Sequence, residues 1–501
     1  MIRSICILLT VVLAAGCGAT RDGASDVHPS LPGRAFQECP IDMSAYRSAQ
    51  ERAGQDADLA LAVAISGGGQ RAANFAAGVM LALEEISPGG AAADNALRQV
   101  DYVSSVSGGS LAAAAYLSSL NDHLCLGGSV DDYSFAVAMR NRGPLSATVR
   151  SDPQLRRYLE ISYVRDIVKG AMAWTSHDRG EYLEAAFDDN VLGRTWRRDK
   201  ITAMGGDPSF GQSLTLGDIF VRADSPRPVR LPYWVANAAV YENGALFPFT
   251  PDQLKLYQVV GYTHRFKRCT FDAKTQSYEE FLDAVPLSLA AKASGTFPAA
   301  IPATVLRSEM DKLNPYLYLF DGGIGDNLGT VTALRMLKQD QRPRRKVLLV
   351  IDASADTYAA FSKDSSPPGA GVSALQAAMV QQSSYHGRYR ELTQDICRAN
   401  NITPIFLSFD DLADLPDCAA LCEKGLTQAQ IKSLSKEKTP KPFHLVRDVP
   451  TWYSVAVEEQ SLLLSAGQVA ADLNRDKIRA ALGWPCAPPQ PATSPAASAT
   501  D

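Results

Sequence analysis

The chain has 501 residues, 46% of them hydrophobic, and a formal net charge of −5. That apolar share excludes a disordered chain and is enough for a large core, and the length alone admits two or three domains. An acidic balance lacks the broad basic surface of a nucleic-acid binder, so no nucleic-acid partner is expected.

Arg3 begins the chain with a positive charge, residues 5–15 are apolar, and Leu13-Ala14-Ala15-Gly16-Cys17 closes the stretch with small residues. About eleven apolar residues are too few to span a membrane, which takes roughly 20, so residues 1–16 read as a cleaved export signal. LAAGC resembles the lipobox of bacterial lipoproteins. The resemblance implies a lipid-anchored Cys17 in the bacterial cell envelope, on the periplasmic face of the outer membrane or at the cell surface. An ordinary secretory peptide with an incidental cysteine is the alternative. Residues 17–57 then form the lipidated start, a Gly/Ser/Pro/Asp-rich tether and a lead-in.

Cys39, Cys125, Cys269, Cys397, Cys418, Cys422 and Cys486 remain for the mature protein. An odd set cannot pair completely, and up to three disulfides fit an oxidising compartment. The spacing of Cys418 and Cys422 suits a local disulfide or two buried thiols better than a metal site, since no second pair or nearby histidine supports one. No metal and no cofactor are expected.

Short apolar runs predict strands over 59–65, 100–106, 233–238, 317–320, 347–351 and 405–409, and helical patterns follow over 71–85, 109–120 and 327–338. Alternating strands and helices with nearly continuous apolar strands predict an α/β sheet covered on both faces. The first strand stops at Gly67-Gly68-Gly69. Glycines there let the chain take positive φ and bring backbone N–H groups to a ligand or a reacting carbonyl, with a helix N-terminus beyond. A nucleotide-phosphate loop built on Gly67, Gly69 and Ala72 is the competing account.

The second strand runs into Ser105-Val106-Ser107-Gly108-Gly109. Ser107 occupies the place of a nucleophile in a strand–turn–helix elbow, where neighbours must be small; Ser105 stands where the first glycine is usual, and Gly109 meets the demand. Between this elbow and the middle strand, residues 155–174 carry a helical apolar spacing that fits core packing or a lid. Later, Leu317-Tyr318-Leu319-Phe320 leads into Asp321-Gly322-Gly323, and Asp326 then reads as a helix N-cap in preference to a second acid.

These three motifs, in this order, resemble the patatin-like phospholipase family: Gly67 to Arg71 as GGGxR, Ser107 as the elbow serine and Asp321 as DGG. Residues 234–249 and 293–298 add to the likeness, which covers roughly 58–355. The resemblance implies a three-layer α/β/α sandwich with a largely parallel central sheet; the domain is expected over 58–484, its C-terminal extension resting on the α/β pattern alone, and the Pro/Ala/Ser-rich stretch 485–501 reads as a disordered tail. The resemblance also implies a lipid acyl hydrolase with a Ser107–Asp321 dyad and an oxyanion hole from Gly67, Gly68 and Gly69. Gly108, Gly109, Gly322 and Gly323 would support the site, and Arg71 would steady the glycine loop or sit on the surface. A raised Asp321 pKa is expected, because an ordinary aspartate is a poor base. Phospholipid or another acyl-ester lipid is the implied partner. A triad using His386 or His444 and a non-catalytic lipid-binding lipoprotein are the alternatives.

Overall fold

The computed structural model describes residues 42–88, 94–125, 127–141, 179–192, 213–298, 301–341, 345–354, 389–451 and 453–485. The export signal, Cys17, most of the tether, residues 155–174, His386, Cys39, Cys486 and the tail lie outside that set.

Ten strands form one sheet: β1 (Leu59–Ile65), β2 (Val100–Val106), β3 (Tyr233–Val240), β4 (Leu246–Pro248), β5 (Val259–His264), β6 (Lys267–Thr270), β7 (Thr304–Ser308), β8 (Tyr316–Asp321), β9 (Arg345–Asp352) and β10 (Ile402–Ser408). Their order is β10-β9-β1-β2-β3-β8-β7-β5-β6, with β4 paired to β3. The ladders from β10 to β3 are parallel, and those from β3 to β6 are antiparallel. Only β4, β5 and β8 therefore run against the rest. Every residue of β1, β2 and β3 is buried, as a sheet covered on both faces requires.

Helices α1 (Gly69–Glu85) and α2 (Gly108–Cys125) follow β1 and β2 directly. They pack on each other, together with α4 (Leu287–Ser294), while α6 (Thr330–Gln339) packs on β1, β2 and β9. The result is the α/β/α layering that the alternating pattern predicts. Further on, α3 (Arg179–Ala186) runs into a π-helical turn, α5 (Gly323–Asp326) is a single turn after β8, and α7 (Val457–Leu473) lies along α1. α1 and α7 meet backbone to backbone: a Cβ on Gly467 would stand 2.1 Å from the Phe75 carbonyl. Among the described residues no helix is long and apolar enough to cross a membrane.

β1 sits at the point where the strand order turns back, with β2 and β3 to one side and β9 and β10 to the other. In open α/β sheets the crevice outside the carboxyl ends of such strands is where ligands bind. Both the glycine turn after β1 and the serine turn after β2 open there.

The six strands anticipated from the sequence are present as β1, β2, β3, β8, β9 and β10. β10 ends at Ser408, and Phe409 starts a short 3-10 turn. The five described cysteines, Cys125, Cys269, Cys397, Cys418 and Cys422, are all free thiols, so Cys418 and Cys422 do not pair.

Candidate active site

Ser107 follows the last residue of β2 and precedes the first of α2. Its φ is +51°, a left-handed conformation that side chains disfavour and that a strand-to-helix elbow imposes. The turn tolerates no bulk beside it: a Cβ on Gly108 would lie 1.8 Å from the Gly69 carbonyl, and one on Gly109 would lie 2.6 Å from that of Ser66. The glycine turn and the elbow therefore touch.

Ser105 departs from the usual small residue without crowding the turn, because its hydroxyl has partners. It accepts the Trp234 Nε1–H at 2.8 Å and meets the Ser110 hydroxyl at 2.9 Å. Ser110 in turn donates to Ser294 Oγ at 3.2 Å, and the Ser107 N–H donates to the same oxygen at 2.8 Å. Ser107 is thus held from beneath by a fully buried polar chain.

Asp321 ends β8 and is 4% exposed. Its N–H donates to the Thr296 carbonyl at 2.9 Å, and one carboxylate oxygen accepts the Gly323 N–H at 2.8 Å. The Ser107 side chain lies close enough to this carboxylate to pull its pKa down. Burial pushes the carboxyl up to about 6, against the lowering pull of the Gly323 N–H and the Ser107 hydroxyl. The elbow serine and the DGG aspartate, 214 positions apart by their numbers, are therefore brought to one place.

Gly68 (φ +144°) and Gly69 (φ +59°) take the conformations expected of the glycine turn. Their N–H groups have no backbone acceptor among the described residues. Gly67 differs: its N–H donates to the Asn327 carbonyl at 2.9 Å, so it is unavailable to an oxyanion. Its membership of the expected donor set is corrected accordingly.

Arg71 does not face solvent. It is 7% exposed, donates to the Val449 carbonyl at 3.1 Å and lies over the Phe409 ring. Burial lowers its pKa to about 10, while the Asp352 carboxylate raises it. Arg71 ties α1 to the C-terminal extension. Asp326, 1% exposed, accepts the N–H groups of Leu328 and Val331. It serves the start of α6 as expected, although Gly329 occupies the N-cap position itself.

Tyr453 was not legible in the sequence. Its hydroxyl donates to the Gly295 carbonyl at 3.1 Å; burial and the nearby Asp321 carboxylate raise its pKa. His444 is exposed on a short helix. Among the described residues no imidazole reaches Ser107 or Asp321.

A second serine–histidine–carboxylate set, also unanticipated, joins α3, its π-helical turn and the β5–β6 hairpin. Glu184 accepts His264 Nδ1–H at 2.8 Å, the Arg265 N–H at 3.0 Å and the Ser288 hydroxyl. His264 Nε2 lies 3.2 Å from Ser213 Oγ, but that hydroxyl donates to Asp188 at 2.6 Å. The serine proton thus goes to a carboxylate, and the set clamps the hairpin to α4. Elsewhere, a cavity of about 820 Å³ lined by Tyr46, Tyr102 and Asp340 opens near the start of β2, away from the elbow. Among the described residues no three His, Cys, Asp or Glu side chains are arranged to hold a metal ion.

The family model described as patatin-like phospholipase matches residues 63–334. No curated protein sequence matches the chain. Among solved structures it is similar to human GIVD cytosolic phospholipase A2, with 13% identity, a TM-score of 0.38, and coverage of 85% of this chain and 60% of that one. It is also similar to VipD from Legionella pneumophila, with 14% identity, a TM-score of 0.25, and coverage of 70% and 62%. The chain spans 60–62% of the length of these structures.

Proposed function

The chain belongs to the patatin-like phospholipase family, and from that premise we propose that it hydrolyses acyl esters of membrane lipids through Ser107 and Asp321. Ser107 Oγ attacks the acyl carbon while Asp321 takes its proton. The carbonyl oxygen becomes an oxyanion facing the Gly68 and Gly69 N–H groups, where a preorganised donor typically contributes about 2.7–4 kcal/mol to the barrier. Asp321 returns the proton to the departing alcohol, leaving an acyl ester on Ser107. Water then attacks that ester, again giving its proton to Asp321, and the fatty acid leaves as Ser107 regains its hydrogen.

One observation carries this reading: a buried carboxylate, its pKa pushed up to about 6, beside the side chain of a serine held at positive φ. A carboxylate with an ordinary pKa is a weak base for a serine, and burial strengthens it. A non-catalytic lipoprotein would call for a degraded elbow, whereas the Ser105 hydroxyl in this elbow is engaged by Trp234 and Ser110. For the cell envelope we retain the proposal of a lipid on Cys17, which would keep the hydrolase beside its substrate.

A fluorophosphonate probe tests the chemistry. Covalent labelling of the pure protein that disappears in Ser107→Ala is the expected result. Folded wild-type protein that takes no label would return the chain to the class of lipid binders.

A further inference from the structure

The antiparallel half of the sheet carries a face that hydrolysis does not use. Val305 pairs with Tyr318 and Arg307 with Tyr316, so these four share one side of β7 and β8. The other side buries Leu306, Leu317 and Leu319. On the shared side Tyr316 is 55% exposed, and Tyr241 continues the surface with its ring 6.2 Å from that of Tyr318. Tyrosines grouped this way have the chemistry of a boundary between water and hydrocarbon.

Register places this face above the level of the site, on the side of β8 opposite to that of Leu317, Leu319 and Asp321. Asp321 pairs with Ala238 and Leu319 with Val240, so β8 descends to Asp321 from beyond the ends of the parallel strands. At about 3.3 Å per residue, Tyr316 stands roughly 17 Å past Asp321 on the edge where the elbow opens. The connection above it exposes Leu313 at 90%.

Charge supplies the remaining argument. Arg307 and Arg268 lie on the same side, linked through the pairings of Gly261 with Arg307 and Thr270 and of Thr263 with Arg268. Both are exposed, and neither forms an ion pair among the described residues, in a chain of net charge −5. The connection itself carries Glu309 and Asp311 against Lys312, and the Asp311 carboxylate accepts the N–H groups of Leu313 and Asn314. Exposed cations among interfacial aromatics match an anionic bilayer.

We propose that this face is the surface on which the protein docks to an anionic phospholipid bilayer, with the β7–β8 connection entering first and the elbow brought to the acyl esters. The proposal rests on the hydrolase reading for its purpose.

The test uses the full chain carrying Cys17→Ala, so that no lipid anchor contributes. Co-sedimentation is measured with phosphatidylcholine vesicles with and without phosphatidylglycerol, alongside turnover of a soluble short-chain nitrophenyl ester. The parent protein is expected to favour the phosphatidylglycerol vesicles. The double variant Tyr316→Ser, Tyr318→Ser should lose vesicle binding, and Arg268→Gln with Arg307→Gln should lower it about five-fold per arginine. Both should keep soluble-ester turnover and the thermal midpoint. A parent that ignores vesicles, or variants that bind as the parent does, would overturn the proposal. So would tyrosine variants that change only the oligomeric state, which would make the face an interface between copies. If the parent docks through this face yet turns over no ester, docking stands and the hydrolase reading fails.

Discussion

The backbone N–H of Ser107 donates to Ser294 Oγ at 2.8 Å, while the Ser294 carbonyl accepts the N–H of Gly322 at 3.2 Å. One residue at the end of α4 therefore holds both the elbow and the turn after Asp321. Removing the hydroxyl in Ser294→Ala leaves the Ser107 N–H and the Ser110 hydroxyl buried without their acceptor, at a cost of about 1–3 kcal/mol each. We expect a lower thermal midpoint together with a fall in kcat of about tenfold for a soluble ester, since mispositioning of this size acts on the barrier. A variant matching wild type in calorimetry and in steady-state kinetics would show that Ser294 positions nothing.

The acid limb of the rate profile follows from Asp321. A general base works only when ionised, and burial sets this carboxyl at about 6. kcat/KM should be half its plateau near pH 6 and fall about tenfold for each unit below it. Asp321→Asn should lose at least about a thousandfold in rate and the acid limb with it. Residual activity in that variant with an unaltered profile would assign the limb to another group.

The same carboxyl makes a stability prediction of opposite sign to activity. Its folded pKa of about 6 lies above the value near 3.9 of an unfolded aspartate, so the folded state binds the proton more tightly. The stability it contributes is fully present below about pH 4 and is lost as pH rises through 6, a change on the order of 2–3 kcal/mol. Asp321→Asn keeps an acceptor for the Gly323 N–H and stays neutral. Its thermal midpoint should therefore exceed that of wild type at pH 8, with the gap closing towards pH 4. Scanning calorimetry across that range decides it, and a variant less stable than wild type at pH 8 would contradict the account.

The Ser213, His264 and Glu184 set gives a further check on where the chemistry sits. Because Ser213 donates to Asp188, Ser213→Ala should leave ester turnover and fluorophosphonate labelling unchanged. His264→Ala should instead destabilise the fold, since Glu184, 1% exposed, loses the imidazole N–H it accepts. Loss of labelling in Ser213→Ala would make this set, and not Ser107, the reacting one.

Much of this site was legible from the chain because its parts sit at the ends of long apolar strands, where Gly67 to Gly69, Ser107 and Asp321 each follow a run such as LALAVAI or YLYLFD. Buried parallel strands such as β1 and β2 announce themselves that way, and the antiparallel β8 reads the same because its exposed side carries aromatic residues. β5, β6 and β7 do not: stretches such as KRCT and TVLRS mix polar with apolar residues because one side of them meets solvent. The commitment of the Gly67 N–H to Asn327, the reach of Arg71 to Val449 and the approach of Tyr453 all depend on pairings across long sequence separations, for which local spacing carries no signal.

The glycine turn has a consequence for the order of events during synthesis. The Ser66 N–H is bound by the Ile351 carbonyl, the Ser66 hydroxyl oxygen accepts the N–H of Ala353 across a separation of 287, and Gly67 waits for Asn327. A ribosome delivers the elbow serine long before it delivers those anchors. A chain interrupted ahead of Ile351 leaves its first turn unseated, so the reacting geometry is withheld until residues 351–353 have been made.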